Sequence, residues 1–262
     1  MNNSQQMLEA LEQQDLSRAD SFFQKALDED SDEVLLELAA YLEGIGFYPQ
    51  AAQIYEKLAP KFPEVYINLA AIAGEDGLIE EAFDYLENIG SESEWYVSAL
   101  ALKADLYQME GLTDVAREKL LEARSYSDDP LLIFGLAELD SELENDLEAI
   151  KGYAQLDNRA IYDQTGISTY QRIGLAYARL GKFESAIEFL EKALELEYDD
   201  QTAFELASLY FDQEDYQKAV LYFKQLDTIS PDFEGYEYGY SQALHKEHQT
   251  EEALKIAQQG LS

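Results

Sequence analysis

The chain has no cysteine, which excludes disulfides, thiolate metal sites and a cysteine nucleophile. Proline and glycine are sparse, 5 and 14 among 262 residues, too few for the closely spaced turns of an all-β chain. Basic residues are in short supply as well. Only 18 Lys and Arg face 54 Asp and Glu, giving a formal net charge of -36. A surface of that sign repels phosphate backbones and anionic lipids, so nucleic acid is not an expected partner. No apolar run approaches the ~20 residues of a bilayer-crossing helix, so no membrane insertion is expected. Residues Met1 to Met7 lack the basic region and apolar stretch of a secretory signal. The expected compartment is therefore cytoplasmic.

Motifs that carry chemistry are missing too. There is no phosphate-binding glycine loop, no nucleophile elbow and no zinc-protease motif. The acidic run Asp28-Glu29-Asp30-Ser31-Asp32-Glu33 suggests a calcium loop but lacks its turn glycine. Ala39 stands where the bidentate glutamate belongs, so the run reads as a solvated turn. His245 and His248 are three residues apart with no third ligand nearby, and read as surface histidines. Carboxylate pairs are unavoidable with so many acids and single out no hydrolytic pair. Trp95, the one tryptophan, reads as a packed junction residue. The expectation is a non-enzyme with no cofactor.

What is abundant is helix-forming: hydrophobic residues make up 47% of the chain, and Leu, Ala, Glu and Gln favour helices. A small residue recurs at Ala19, Ala51, Ala82, Ala116, Ala149, Ala186, Ala219 and Ala253. One turn later a large one follows: Phe23, Tyr55, Leu86, Leu120, Tyr153, Leu190 and Phe223, with Ala257 breaking the series. An earlier helix carries Ala39, Ala70, Ala104, Ala137, Gly174 or Ala207. Small residues on both helices permit a close crossing, and a bulky one at either place costs about 1–3 kcal/mol. Gly46, Gly77, Gly111 and Gly181 punctuate the paired helices, and Pro63, Pro130 and Pro231 mark junctions between pairs.

The stretch Gly174 to Leu194 resembles the tetratricopeptide-repeat family, whose period is about 34 residues. Tyr170, Ile173, Gly174, Tyr177, Ala186, Leu190 and Ala193 fall on its signature positions. Ala203, Leu206, Ala207, Tyr210, Ala219, Phe223, Leu226 and Pro231 repeat them. The resemblance implies an all-α, right-handed superhelical solenoid of about eight helix pairs. Units one to five occupy residues 1–156, and units six to eight occupy residues 167–262. Residues 157–166 are an insertion or junction in one continuous solenoid, with further repeats favoured beyond residue 262. In composition and repeat style the chain is similar to long, acidic, cytoplasmic multi-repeat proteins of Gram-positive bacteria.

In this family the first helix of each pair lines a concave surface that binds proteins. Carried onto this chain, that surface takes Leu36, Glu43, Glu64, Ile67, Glu75, Asp105 and Gln108 from the first half. The second half adds Phe134, Glu138, Glu142, Gln171, Arg179, Phe204, Phe211, Asp212, Tyr238 and Gln242. Apolar patches alternating with carboxylates suit a basic or amphipathic peptide. The basic clamp that some members use for acidic tails is absent, because Glu64, Ile67 and Ala71 surround Asn68. Two alternatives stand beside this adaptor role: a self-assembling homodimer, and the regulatory portion of a larger protein.

Overall fold

Seventeen α-helices occur in the computed structural model, which describes residues 2–260. Met1, Leu261 and Ser262, the extremes of the amino-terminal segment and the eighth unit, lie outside the described residues. The chain divides into two compact units, residues 1–127 and 128–262. The first holds α1 (Asn3–Glu12), α2 (Leu16–Glu29), α3 (Asp32–Gly44), α4 (Tyr48–Leu58), α5 (Val65–Glu75), α6 (Ile79–Leu86), α7 (Tyr96–Met109) and α8 (Thr113–Arg124). The second holds α9 (Pro130–Glu142), α10 (Asp146–Tyr153), α11 (Asn158–Thr165), α12 (Thr169–Arg179), α13 (Phe183–Leu196), α14 (Asp200–Asp212), α15 (Tyr216–Ile229), α16 (Tyr236–Lys246) and α17 (Thr250–Gln259). Apart from α11 they form eight consecutive pairs, four in each unit.

The recurring alanines are the contact points of these pairs. All eight are buried, as are their counterparts Ala39, Ala70, Ala104, Ala137 and Ala207. The crossing is close at Gly174, where a Cβ would lie 2.7 Å from Leu190 Cγ and 3.1 Å from the Ala186 carbonyl oxygen. Each pair reverses through one residue in the left-handed region. Gly46, Gly77, Gly111 and Gly181 supply it in four pairs, and Gln14, Glu144, Glu214 and His248 in the others, at φ of 59–62°. One turn geometry thus serves all eight pairs, and glycine is the comfortable choice rather than a requirement.

Capping divides the helices into two groups. Ser31, Asp129, Asp157, Ser168 and Asp199 accept hydrogen bonds from first-turn backbone N–H groups of the helices they precede. Asp15 and Asp215 do the same for second helices. Each such cap contributes about 1 kcal/mol. Phe47, Leu78 and Leu112 occupy the capping position of α4, α6 and α8 and make no such bond.

The segment 157–166 forms the short helix α11 with its two caps. Asp157 caps α11, and Gly166 ends it at φ 71°. Ile161 is buried with Phe134, Tyr153 and Ile173. The Asn158 side-chain oxygen accepts from the hydroxyls of Ser168 (3.1 Å) and Thr169 (3.0 Å) and from the Tyr170 N–H (3.2 Å). α11 is therefore bound into the core of the second unit, and the boundary between units falls after Ser127 instead.

Candidate protein-interaction face

On the first helices of unit one, acids and apolar residues have distinct surroundings. Leu36 and Ile67 are half-buried and pack against the core. Glu43 accepts from the Tyr55 hydroxyl (2.7 Å) and from Asn68 Nδ2 (3.0 Å), tying α3 to α4 and α5. Asn68 is thereby engaged within the stack. Glu64 is half-buried just before α5. Glu75 is exposed beside Tyr48, and a hydrogen bond to its carboxylate raises the Tyr48 pKa. Asp105 and Gln108 are exposed on α7. Although Asp105 meets solvent, the protein packed around it disfavours its ionised form and raises its pKa.

In unit two the division is sharper. Phe134 is buried, its ring 6.2 Å from that of Tyr153. Glu138 accepts from the Tyr153 hydroxyl and, in bidentate fashion, from Arg172 Nε (2.9 Å) and Nη2 (3.2 Å). Gln171 donates to Asp199 (2.9 Å) and Thr202 (2.7 Å), joining α12 to the start of α14. Arg179 donates to the buried Asp146 (2.9 Å from Nε) and to Ser141 (2.9 Å). The Phe204 ring lies between Phe223 and Phe233, at 6.2 and 5.5 Å, and Phe211 abuts Tyr216 at 5.3 Å. Gln242 is half-buried. Glu142 and Asp212 are exposed, and Tyr238 is 76% exposed.

Ten of the seventeen residues are buried or half-buried, and the exposed Arg179 is held by Asp146. The other six are exposed: Glu75, which accepts from the Tyr48 hydroxyl, and Asp105, Gln108, Glu142, Asp212 and Tyr238.

The unforeseen element is tyrosine. The chain has 19 Tyr against 18 Lys and Arg, and tyrosine hydroxyls serve as neutral donors to carboxylates, some of which also meet a base. Tyr96 donates to Glu122 (2.6 Å), Tyr210 and Tyr222 to Glu191 (2.6 and 3.2 Å), and Tyr236 to Asp227 (2.5 Å). The signal was in the pattern: Tyr55 and Tyr153, at the large position of the second helix, face acids of the first. The Tyr96 bond raises the tyrosine pKa to about 12 and lowers that of Glu122. Burial, with Glu191 adding to it, raises Tyr222 to about 12, and burial does the same for Tyr240.

These shifts fix the behaviour in alkali. An unfolded tyrosine loses its proton near 10.0, whereas the folded chain keeps these protons to about 12. Their stabilisation is intact below pH 10 and is lost as pH rises from about 10 through about 12. Circular dichroism and the tyrosinate absorbance contributed by the tied tyrosines should therefore change together across that window. Complete ionisation of all 19 tyrosines near pH 10 with helicity retained would contradict the ties.

Comparison with known proteins identifies the repeat. The model described as "Tetratricopeptide repeat" matches residues 167–200 and 201–233, and "YpiA-like, tetratricopeptide repeats" matches residues 108–161. The chain is a tetratricopeptide-repeat protein. The TPR repeat-containing protein YpiA of Bacillus subtilis is 30% identical over 183 residues, 70% of this chain and 43% of YpiA. The match thus spans less than half the length of that relative. Two solved repeat structures share the fold. A STAND signal-transduction ATPase with a tetratricopeptide-repeat sensor, from Pyrococcus horikoshii, superposes with a TM-score of 0.66 at 18% identity, covering 94% of this chain and 44% of that one. PilF of Pseudomonas aeruginosa gives 0.60 at 19% identity, covering 75% and 88%. Tetratricopeptide repeats generally act in protein–protein interaction and are typically non-catalytic. Among the described residues no helix is long and apolar enough to cross a membrane.

Proposed function

We propose that this tetratricopeptide-repeat chain is an adaptor that captures basic or amphipathic segments of partner proteins on the first-helix faces of its units. The observation that carries this reading is unneutralised charge on those faces. Asp105 in unit one and Asp212 in unit two are exposed and form no ion pair among the described residues. With a formal net charge of -36 behind them, such carboxylates steer cations and discourage anions. Tyr238 adds an exposed aromatic surface for apolar side chains of the partner.

Co-purification from the native cell at low and then high salt tests the reading. A specific set of basic partners should be retained at low salt and released as ionic strength rises. Asp105→Lys with Asp212→Lys should weaken their capture about tenfold, and Asp212→Lys alone should weaken it in the same direction while leaving the thermal midpoint in place. Identical retention by the parent and the charge-reversed chain would refute the assignment.

A further inference from the structure

A second surface stands out on the edge of unit one where the paired helices reverse. Asp15 and Asp215 cap their helices from backbone angles of (-92°, 79°) and (-84°, 70°). Phe47 (-84°, 58°), Leu78 (-85°, 63°) and Leu112 (-95°, 58°) hold nearly the same conformation in three consecutive pairs. Aspartate fits there and satisfies a free N–H in the first and seventh pairs, yet each of these three positions carries an apolar side chain. Phe47 is half-buried against the core, but the other two do not compensate by burial: Leu78 is 51% exposed and Leu112 49%. Met109, beside Leu112, is 61% exposed. Three successive pairs thus forgo a stabilising cap, and at two of them the apolar side chain faces water.

The same edge contains an open groove of about 510 Å³ between the ends of α1 and α3. Leu8, Leu11, Leu16, Tyr41, Ile45 and Phe47 form its apolar lining, and Glu12 stands at its rim. Further along, Asp76, Glu110 and Asp114 flank Leu78 and Leu112. All four acids are exposed and form no ion pair among the described residues. We propose that this turn edge of unit one, from Leu16 to Leu112, docks a cationic amphipathic segment of a partner protein. Apolar side chains of the partner fill the groove and cover Leu78 and Leu112, and its Lys or Arg side chains meet the flanking carboxylates. A second copy of this chain would bring the same negative charge to the contact, and an anionic membrane would be repelled likewise. The surface includes none of Asp105, Asp212 and Tyr238, on which the role assigned to the first-helix face rests, so the two are tested by different substitutions.

The test uses the full chain and a fluorescent synthetic amphipathic helix of about 18 residues, five turns of Leu and Lys. A companion peptide keeps every Lys and replaces each Leu by Ser. The variant Leu78→Asn/Leu112→Asn removes apolar surface at two exposed positions without adding charge, so its thermal midpoint should equal that of the parent. Fluorescence anisotropy should show the Leu/Lys peptide bound at least tenfold more weakly by this variant. The Ser peptide should bind weakly and equally to both chains. The Asp105→Lys/Asp212→Lys chain should retain the parent's preference for Leu/Lys over Ser, which separates this edge from the first-helix face. Unchanged affinity in the Asn variant would overturn the proposal, as would lost binding accompanied by a lower thermal midpoint. So would light scattering that showed self-association of the parent, abolished in the variant, because the occupant would then be a second copy. Binding of the parent, but not the variant, to phosphatidylglycerol vesicles would reassign the strip to a lipid surface.

Discussion

Gly174→Leu is expected to lower stability by about 2 kcal/mol, whereas Gly44→Ala should leave it unchanged or raise it. Both glycines lie in first helices, so the change in helix propensity favours the substituted side chain in each case. Their surroundings differ. A Cβ at Gly174 would sit 2.7 and 2.8 Å from Leu190 carbons and 3.1 Å from the Ala186 carbonyl oxygen. The leucine carbons can move, but the carbonyl belongs to the α13 backbone and cannot give without separating the pair. Overpacking of that kind costs about 1–3 kcal/mol and outweighs a propensity gain of up to about 1 kcal/mol. At Gly44 a Cβ meets nothing within 4 Å, and its φ is not positive, so the gain of about 0.5–1 kcal/mol stands. Thermal unfolding should show a midpoint lowered by about 4–8 °C for Gly174→Leu. Hydrogen exchange should place the loosening in α12 and α13, since a repeat array transmits strain chiefly to nearest neighbours. Equal midpoints for the two variants would contradict the close crossing.

That contrast explains why the fold was legible in the sequence. A close helix crossing admits only Ala or Gly, so the constraint recurs in every pair and appears as a period in the chain. The site was less legible because an acid on a first helix has two possible destinations that look alike in sequence. Glu43 and Glu138 turn inward to tyrosines of the following helix, while Asp105 and Asp212 face solvent. What separates them is the residue opposite in space, and only Tyr55 and Tyr153 at the large position hint at it. Arg179 is a similar case: its role depends on Asp146, a residue that looks like an ordinary helix-start acid until it is found buried. Helix α11 was hidden for another reason. It interrupts the repeat, so neighbouring units offered no template, and its cap and single buried Ile161 are short-range signals.

Glu138→Ala should cost about 2–3 kcal/mol, a stability loss that a purely ligand-contacting acid would not produce. The Tyr153 side chain is 1% exposed, and its hydroxyl loses its carboxylate acceptor when Glu138 is removed. An unsatisfied buried hydroxyl costs about 1–3 kcal/mol. Arg172 loses its bidentate partner as well, but at 32% side-chain exposure it regains water. That part is accordingly smaller than the cost of breaking a fully buried pair. Glu138→Gln keeps an oxygen for Tyr153 and removes only the charge facing Arg172, so it should lose about half as much. Tyr153→Phe removes the donor and its need for an acceptor together, while the Glu138–Arg172 pair survives. Glu138→Ala should therefore be less damaging in a Tyr153→Phe background than in the parent, with a coupling of at least about 1 kcal/mol. Urea denaturation of the four chains in this cycle measures it. Strict additivity would mean that the hydroxyl finds another partner and that Glu138 is free to meet a ligand. A clear coupling would make Glu138 part of the scaffold, so any accompanying loss of partner capture would have to be read as loosening of the α9–α12 packing before it was read as a lost contact.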